Sequence, residues 1–549
     1  MDKYYQVTCN EAVGTFKEGT SYKEIAEFFQ EYYPYEIIGA KVNEDFVDLS
    51  NVLQKDCTIS FFTVADEYGN KVYSRSARFI LVLAVKKVFG SKARVIIQHS
   101  QDKGVYFTIE GVRIKDDSLK LIVDAFKKIV ESDYLFTRLT VSRLEAMSYF
   151  HKKKMYDKEL LLKYISNTYI NLYRIDTIYD YFYGRMAYST KQINVFEISR
   201  LDEGFVLHLP SIFSPQKIID YKYNNKVYTK FNDAINFGNN INLKNVSDLN
   251  YKVSMGDIKD IILMSEAYYN DQLLNLADEI INKKSKLILM AGPSSSGKTT
   301  TSKKLCIYLK SKGYNTIAIS IDDYFTDLDK RVKNEDGTYD YESIRAVDTS
   351  LFNKQINKLL NGEEVYLSQF DFVKGKQSFK EKSVKLNKSD IIVVEGLHAL
   401  NDKLTEIIDK KYKYKVYITP LTSLNLDSHN HIHTSDTRKL RRIVRDSKNR
   451  GVDAKTTLSM WHDIQKGEIE NIFPFQNDVD SVINSSLMYE LGVLKTYVEP
   501  LLYSVESGDK EYPEAIRLIN FLRNFLPIPS DDIPNDSVLR EFIGGSCFK

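Results

Sequence analysis

Cysteine is scarce in this 549-residue chain, with four residues, Cys9, Cys57, Cys306 and Cys547, all far apart. That excludes a disulfide framework and a clustered thiolate metal site, and it fits a reducing compartment. Long apolar runs are missing too. The densest, Phe79–Val85, falls far short of the ~18–20 residues that cross a bilayer, and the first sixteen residues hold no apolar stretch of signal-peptide type. The expectation is a soluble cytoplasmic protein. Nor does one sign of charge dominate: 76 Lys plus Arg stand against 74 Asp plus Glu. Bulk charge therefore makes no case for nucleic acid or membrane as a partner. What is present is an ordinary globular composition, 43% hydrophobic and 27% charged, in a chain long enough for two to four domains.

The most informative stretch is KLILMAGPSSSGKTTT, residues 286–301. An apolar run leads into Gly292, Pro293, Ser294, Ser295, Ser296, Gly297, Lys298 and Thr299, and the following residues, from Thr300, continue as a helix. This is the phosphate-cradling loop pattern in strand–loop–helix context. Its glycines permit close wrapping, and the loop amides and helix N-terminus attract phosphates. Lys298 can reach terminal phosphates, and the Thr299 hydroxyl can ligate Mg²⁺.

From here strand and helix signals alternate, which predicts a parallel sheet flanked by helices, with strands at Leu287–Ala291, Thr316–Ile321, Ile391–Val394, Lys415–Ile418 and Ser481–Ile483. Polar residues at the carboxyl ends of such strands are the candidates for chemistry. Asp322 leaves the second strand, where it can accept a hydroxyl proton or help hold Mg²⁺, whereas Asp323 is read as a helix cap. Glu395 ends the third strand, where a metal-side acid is expected. Arg438, Arg442 and Arg445 share one helix face and suit a lid that closes on phosphates. Asn387-Lys388-Ser389-Asp390 mimics a guanine-reading motif. It precedes its strand, at the wrong edge of the sheet, so it is read as a turn and a GTPase is set aside.

Ahead of this region, residues 4–63 alternate short strands around one helix and resemble the TGS domain of threonyl-tRNA synthetases. Residues 74–186 follow the order of the second additional, editing-type domain of those synthetases, with phrases such as VSRLEAMSYF and YINLYRI. The family's metal-binding positions fall here on Ser74, Arg78, Phe182 and Met186, which are poor Zn²⁺ ligands, so the resemblance implies the scaffold without the hydrolytic activity. Asn-rich residues 210–250 read as a connecting region, and 252–284 as helix packed against the alternating strand–helix region that begins at Lys286.

GPSSSGKTT, SIDDYF, YDYESIRAVD, QFDFVKGKQSF, VVEGLHAL and RKLRRIVRDSKNRG occur in the order found in the uridine kinase / phosphoribulokinase family, which residues 286–505 resemble. The resemblance implies Asp322 as the base toward a sugar 5′-hydroxyl, with Lys298, Arg442 and Arg445 completing the catalytic set. It implies Tyr324, Asp340, Phe370, Phe372, Arg438 and Arg442 on the substrate side, and Thr299, Asp322 and Glu395 around Mg²⁺. Three positions depart from uridine kinases: Phe370 replaces a Tyr, Gly375 a base-reading His, and Val452 a further lid Arg. The expected organisation is a TGS-like β-grasp domain (1–64), an editing-like α+β domain (65–208), a connector (209–284) and a P-loop α/β kinase (285–549). The expected activity is ATP- and Mg²⁺-dependent phosphorylation of a nucleoside, uridine or cytidine. A sugar-phosphate kinase and an RNA-binding regulator acting through residues 1–208 are the alternatives, and a homo-oligomer is allowed.

Overall fold

A computed structural model of the protein describes residues 3–101, 104–219, 223–331, 343–372 and 374–548. The first sheet has five strands in the order Ala12–Lys17, Tyr4–Cys9, Cys57–Thr63, Ile37–Val42, Asp45–Val47. Tyr4–Cys9 and Cys57–Thr63 run parallel at its centre. The helix Tyr22–Phe29 lays Ile25, Ala26 and Phe29 on that sheet. It starts at a reciprocal cap in which the Ser21 hydroxyl accepts from the Glu24 amide at 3.2 Å and Glu24 accepts from the Ser21 amide at 2.8 Å. The edge strands Ala12–Lys17 and Asp45–Val47 are too short and too polar to stand out in sequence.

The second unit is built on the helix Glu67–Phe89, which is buried on almost every side. That is the condition of a helix enclosed by protein rather than laid on a surface. A four-stranded sheet (Glu197–Leu201, Gly204–His208, Gly104–Glu110, Arg94–Gln101) and a three-stranded one (Ile178–Tyr181, Tyr169–Ile175, Thr137–Ser142) complete it. The Asn-rich connecting region is built mainly of helix, Asn225–Asn240 and Val246–Met255, rather than of the turns its asparagines suggested. The asparagines act as caps: Asn224 accepts from the Val227 amide at 3.1 Å, and Asn245 forms a capping box with Asp248. The helix expected over 252–284 is broken at Gly256, whose φ of +82° only glycine adopts without strain, and resumes as Ile258–Asn282.

The C-terminal sheet is wholly parallel, in the order Thr316–Ser320, Ile391–Glu395, Leu287–Ala291, Lys413–Thr419, Ser481–Asn484. Its central strand is fully buried. By the pleat, Ile288 and Met290 join the apolar cluster on one face while Leu287, Leu289 and Ala291 join that on the other. The first of these clusters also takes in Ala146, Phe150, Leu161, Leu172 and Tyr181. Part of the second unit therefore shares a core with the P-loop fold. An antiparallel hairpin, Glu364–Asp371 with Lys376–Lys385, projects between the second and third strands of the sheet and had no clear signal in sequence.

Candidate active site

The strand Leu287–Ala291 delivers the chain to Gly292, where a Cβ would stand 2.0 Å from the Ile418 carbonyl oxygen. Only glycine fits there. Ser295 (φ +59°) and Gly297 (φ +83°) curl the loop before the helix Lys298–Ser311 begins. The Lys298 ammonium folds back on the loop and donates to the carbonyls of Gly292 at 2.9 Å and Pro293 at 3.2 Å. Burial pulls its pKa below the usual lysine value, chiefly against the opposing pull of Glu395.

Three adjacent strands place three charged groups at one end of the sheet. Glu395 ends the strand beside Leu287–Ala291, and Ser320, the last residue of the next strand, donates to its carboxylate at 3.3 Å. Burial pushes Glu395 up to about 7, Lys298 opposing and Asp322 and Glu541 reinforcing. Asp322 follows Ser320 in a single 3₁₀ turn at the mouth of the cleft. Solvent reaches its side chain, yet the protein mass around the carboxyl raises its pKa, with Lys298 again the main opposing charge. Thr299 is exposed at the same end. Thr299, Asp322 and Glu395 offer only oxygen ligands, the donor type that Mg²⁺ takes.

Two sequence expectations are corrected nearby. Tyr324 does not face the cleft: it is fully buried, its hydroxyl donates to Gln355 at 2.7 Å, and its ring meets Phe352 edge-on at 5.1 Å. Asp323 is not a cap but pairs with Lys380 of the hairpin at 3.3 Å. Asp340 lies outside the described residues.

The aromatic pair behaves as two different residues. Phe370 is buried and Phe372 is 58% exposed, their rings edge-to-face at 5.1 Å, with Phe325 against both at 5.9 and 6.1 Å. Arg331, not singled out in sequence, lies over Phe325 and Phe370 at 4.8 and 5.4 Å. Gly375 has φ +64°, and a Cβ there would meet Leu328 Cδ1 at 2.1 Å, so this hairpin turn has no room for a side chain.

The helix Thr434–Arg450 carries the expected arginines, but it is packed rather than free. Arg438 donates from Nε to the Ser294 carbonyl at 2.9 Å and ion-pairs with Glu468. Arg442 donates to Ser294 Oγ at 2.6 Å, and Asp446 holds Arg442, Arg445 and Arg450 at 3.0, 3.3 and 3.3 Å. Arg441 is fully buried and bonded to Glu490 at 2.7 Å and the Ser485 carbonyl at 2.7 Å. The opposite side is clamped by Asp436, which takes both nitrogens of Arg517 at 2.9 and 2.7 Å, and by Lys439, which pairs with Glu67 at 2.9 Å. Arg438 is thus a structural residue of the loop wall, because both its edges are spent on protein.

Sequence reasoning missed two carboxylates. Glu468 accepts from the Ser294 amide at 2.9 Å. Glu541 accepts from the Thr300 amide at 3.1 Å and its hydroxyl at 2.8 Å, at the N-terminus of the P-loop helix. Anions favour such donors. Glu541 lies 241 residues from its partner, and no local pattern marks it.

A parallel sheet ending in this loop, with a lysine, two acids and arginines around it, defines a P-loop phosphotransferase. The chain belongs to the phosphoribulokinase / uridine kinase family, whose pattern matches residues 287–488. The uridine kinase of Macrococcus caseolyticus is 30% identical over 179 residues, covering 32% of this chain and 77% of that protein. The threonine–tRNA ligase of Acetivibrio thermocellus is 28% identical over 189 residues, 34% of this chain, and this N-terminal likeness spans only 30% of the ligase. Among solved structures, a possible uridine kinase from Bacillus stearothermophilus (22% identity, 27% of this chain, 79% of that one) gives a TM-score of 0.22. The D-glycerate 3-kinase of Cryptococcus neoformans (16% identity, 39% of this chain, 89% of that one) gives 0.27.

Proposed function

We propose that this protein transfers the γ-phosphoryl group of ATP to the 5′-hydroxyl of a nucleoside, uridine or cytidine. The observation that carries the reading is the convergence of Lys298, Asp322 and Glu395 at the carboxyl ends of three neighbouring parallel strands. ATP bound on Gly292–Thr300 supplies the phosphoryl group, and Thr299, Asp322 and Glu395 would hold Mg²⁺, which would offset the phosphate charge. The protein's own part is positioning and electrostatics. Asp322, open to solvent at the cleft mouth, accepts the hydroxyl proton. Lys298 exchanges two loop carbonyls for phosphate oxygens, and Arg442 and Arg445 face the same charge from the helix.

The exposed ring of Phe372, braced edge-on by Phe370, offers a flat apolar face for a base. Because Gly375 excludes a side chain, base selection rests on that face and on groups other than a histidine at this turn. The test is a panel of nucleosides, ribulose 5-phosphate and glycerate, assayed for ADP release with wild type and Asp322→Asn. Turnover of a pyrimidine nucleoside, lowered about 10²–10⁴-fold in the variant, is expected. Turnover only of a sugar phosphate would overturn the acceptor; unchanged turnover in the variant would overturn the base.

A further inference from the structure

A cavity of about 630 Å³ opens in the second unit, and none of its lining residues belongs to the P-loop cleft. Six cations line it: Lys86, Lys92, Arg94, Lys152, Lys153 and Lys154. Among the described residues none of the six forms an ion pair, whereas the adjacent Lys87 pairs with Asp176 at 2.8 Å. The group is also under repulsion, since burial pulls Lys86 below its usual pKa and Lys153 pulls it further.

Of the carboxylates in the wall, Asp180 offsets Lys86 only in part, because its direct partners lie elsewhere. Asp180 is held by Lys158 at 2.9 Å and by His429. Asp157 accepts from the Ser428 amide and hydroxyl through Oδ2, both at 2.7 Å. Its other oxygen, Oδ1, is buried and has no donor among the described residues. The charge of Lys158 compensates the Asp157 carboxylate. Beside it stand Tyr149 and Tyr179, rings 5.8 Å apart and edge-to-face, with the apolar side chains of Val82 and Ile178.

We propose that this cavity binds a nucleotide carrying two or more phosphates, separately from the kinase site. The phosphates sit among the lysines, and the ring packs on the tyrosines. The volume lies within the ~300–1,000 Å³ of ordinary ligand sites. Charge-assisted contacts of this kind are the strong ones. The wall is also shared with the P-loop fold through Ser428 and His429. Five residues beyond His429 the helix Thr434–Arg450 begins, and its Arg438 and Arg442 hold Ser294 of the P-loop. An occupant therefore contacts the segment that leads into the loop wall, which makes this an effector site.

The experiment is calorimetric titration of the full chain with UTP and with inorganic triphosphate, in wild type, Lys298→Ala and Lys86→Gln/Lys153→Gln. Two equivalents of UTP are expected in wild type. One persists in Lys298→Ala, and the double variant weakens that second site by about tenfold or more while its turnover without effector is unchanged. The melting temperature confirms that each variant is folded, and Lys92→Gln/Lys153→Gln replaces the double variant if it is not. One equivalent in wild type, abolished by Lys298→Ala, overturns the proposal. So does inorganic triphosphate binding as tightly as UTP, which would make the rings irrelevant. A short single-stranded RNA that binds through these lysines where UTP does not would transfer the cavity to nucleic acid. Loss of nucleoside phosphorylation in the acceptor panel leaves this readout untouched, so the two readings fail separately.

Discussion

Phe370 and Phe372 show what a residue's neighbours decide. In sequence they are a pair with equal standing, two residues apart and so on one face of a continuous strand, but the strand ends at Asp371, and Phe372 leaves it in the turn, 58% exposed, while Phe370 stays in the core. If Phe372 carries the base, Phe372→Ala should raise the nucleoside KM by about five- to a hundredfold, the worth of one stacked base, with little change in kcat. A KM that does not move, measured alongside an intact fold, would remove the ring from the acceptor site. Tyr324 makes the same point in reverse, since the family resemblance put it on the substrate side and its hydrogen bond to Gln355 places it in the core. Lys298, Asp322 and Glu395 were legible because each follows an apolar strand, and parallel pairing brings strand ends together whatever the loops do between them.

At the scale of elements, the helix Thr434–Arg450 and the C-terminal turn around Glu541 are the informative pair. The helix was legible as a basic stripe, but its clamping was not, because Asp436 and Lys439 find their partners at Arg517 and Glu67. Glu541 occupies the amide and hydroxyl of Thr300 with a full negative charge, where an ATP phosphate would otherwise be drawn. Its removal should favour nucleotide. Glu541→Gln keeps an acceptor but loses the charge, and the KM for ATP should fall about fivefold, the ~1 kcal/mol of a charge at a helix N-terminus. A rise in KM instead would show that the carboxylate supports nucleotide binding rather than competing with it.

At the scale of the whole molecule, residues 425–433 of the P-loop fold insert into the second unit. Asn425 donates to the Ile97 carbonyl at 2.8 Å and Asn430 to that of Tyr181 at 2.9 Å. Arg78, one of the positions where the synthetase resemblance places a metal ligand, donates to the His429 carbonyl at 3.1 Å and to His431 Nδ1 at 3.2 Å. His431 must be neutral to accept from a guanidinium, and burial holds it well below its usual pKa; His99, stacked on Phe231 at 4.0 Å, is lowered to about 4.

For both histidines the folded pKa lies below the unfolded value near 6.5, so the unfolded chain binds more protons between the two. Stability is therefore full above pH ~6.5 and falls as pH drops from there toward 4, by up to about 1.4 kcal/mol per pH unit for each histidine. The melting temperature should fall between about pH 7.5 and 5.0, and His99→Gln should flatten that fall. A profile identical in the variant would place the acid sensitivity elsewhere.

The sequence by itself determined the P-loop, the strands that carry Asp322 and Glu395, and the order of the modules, because each is written in local periodicity or in motifs a few residues long. Only the tertiary structure decided that Gly375 admits no side chain, that Glu541 caps the P-loop helix, that Arg438 is a wall, and that a kinase segment seals the second unit. Those contacts join residues tens to hundreds of positions apart, and their energies come from burial and charge pairing, which no local pattern encodes.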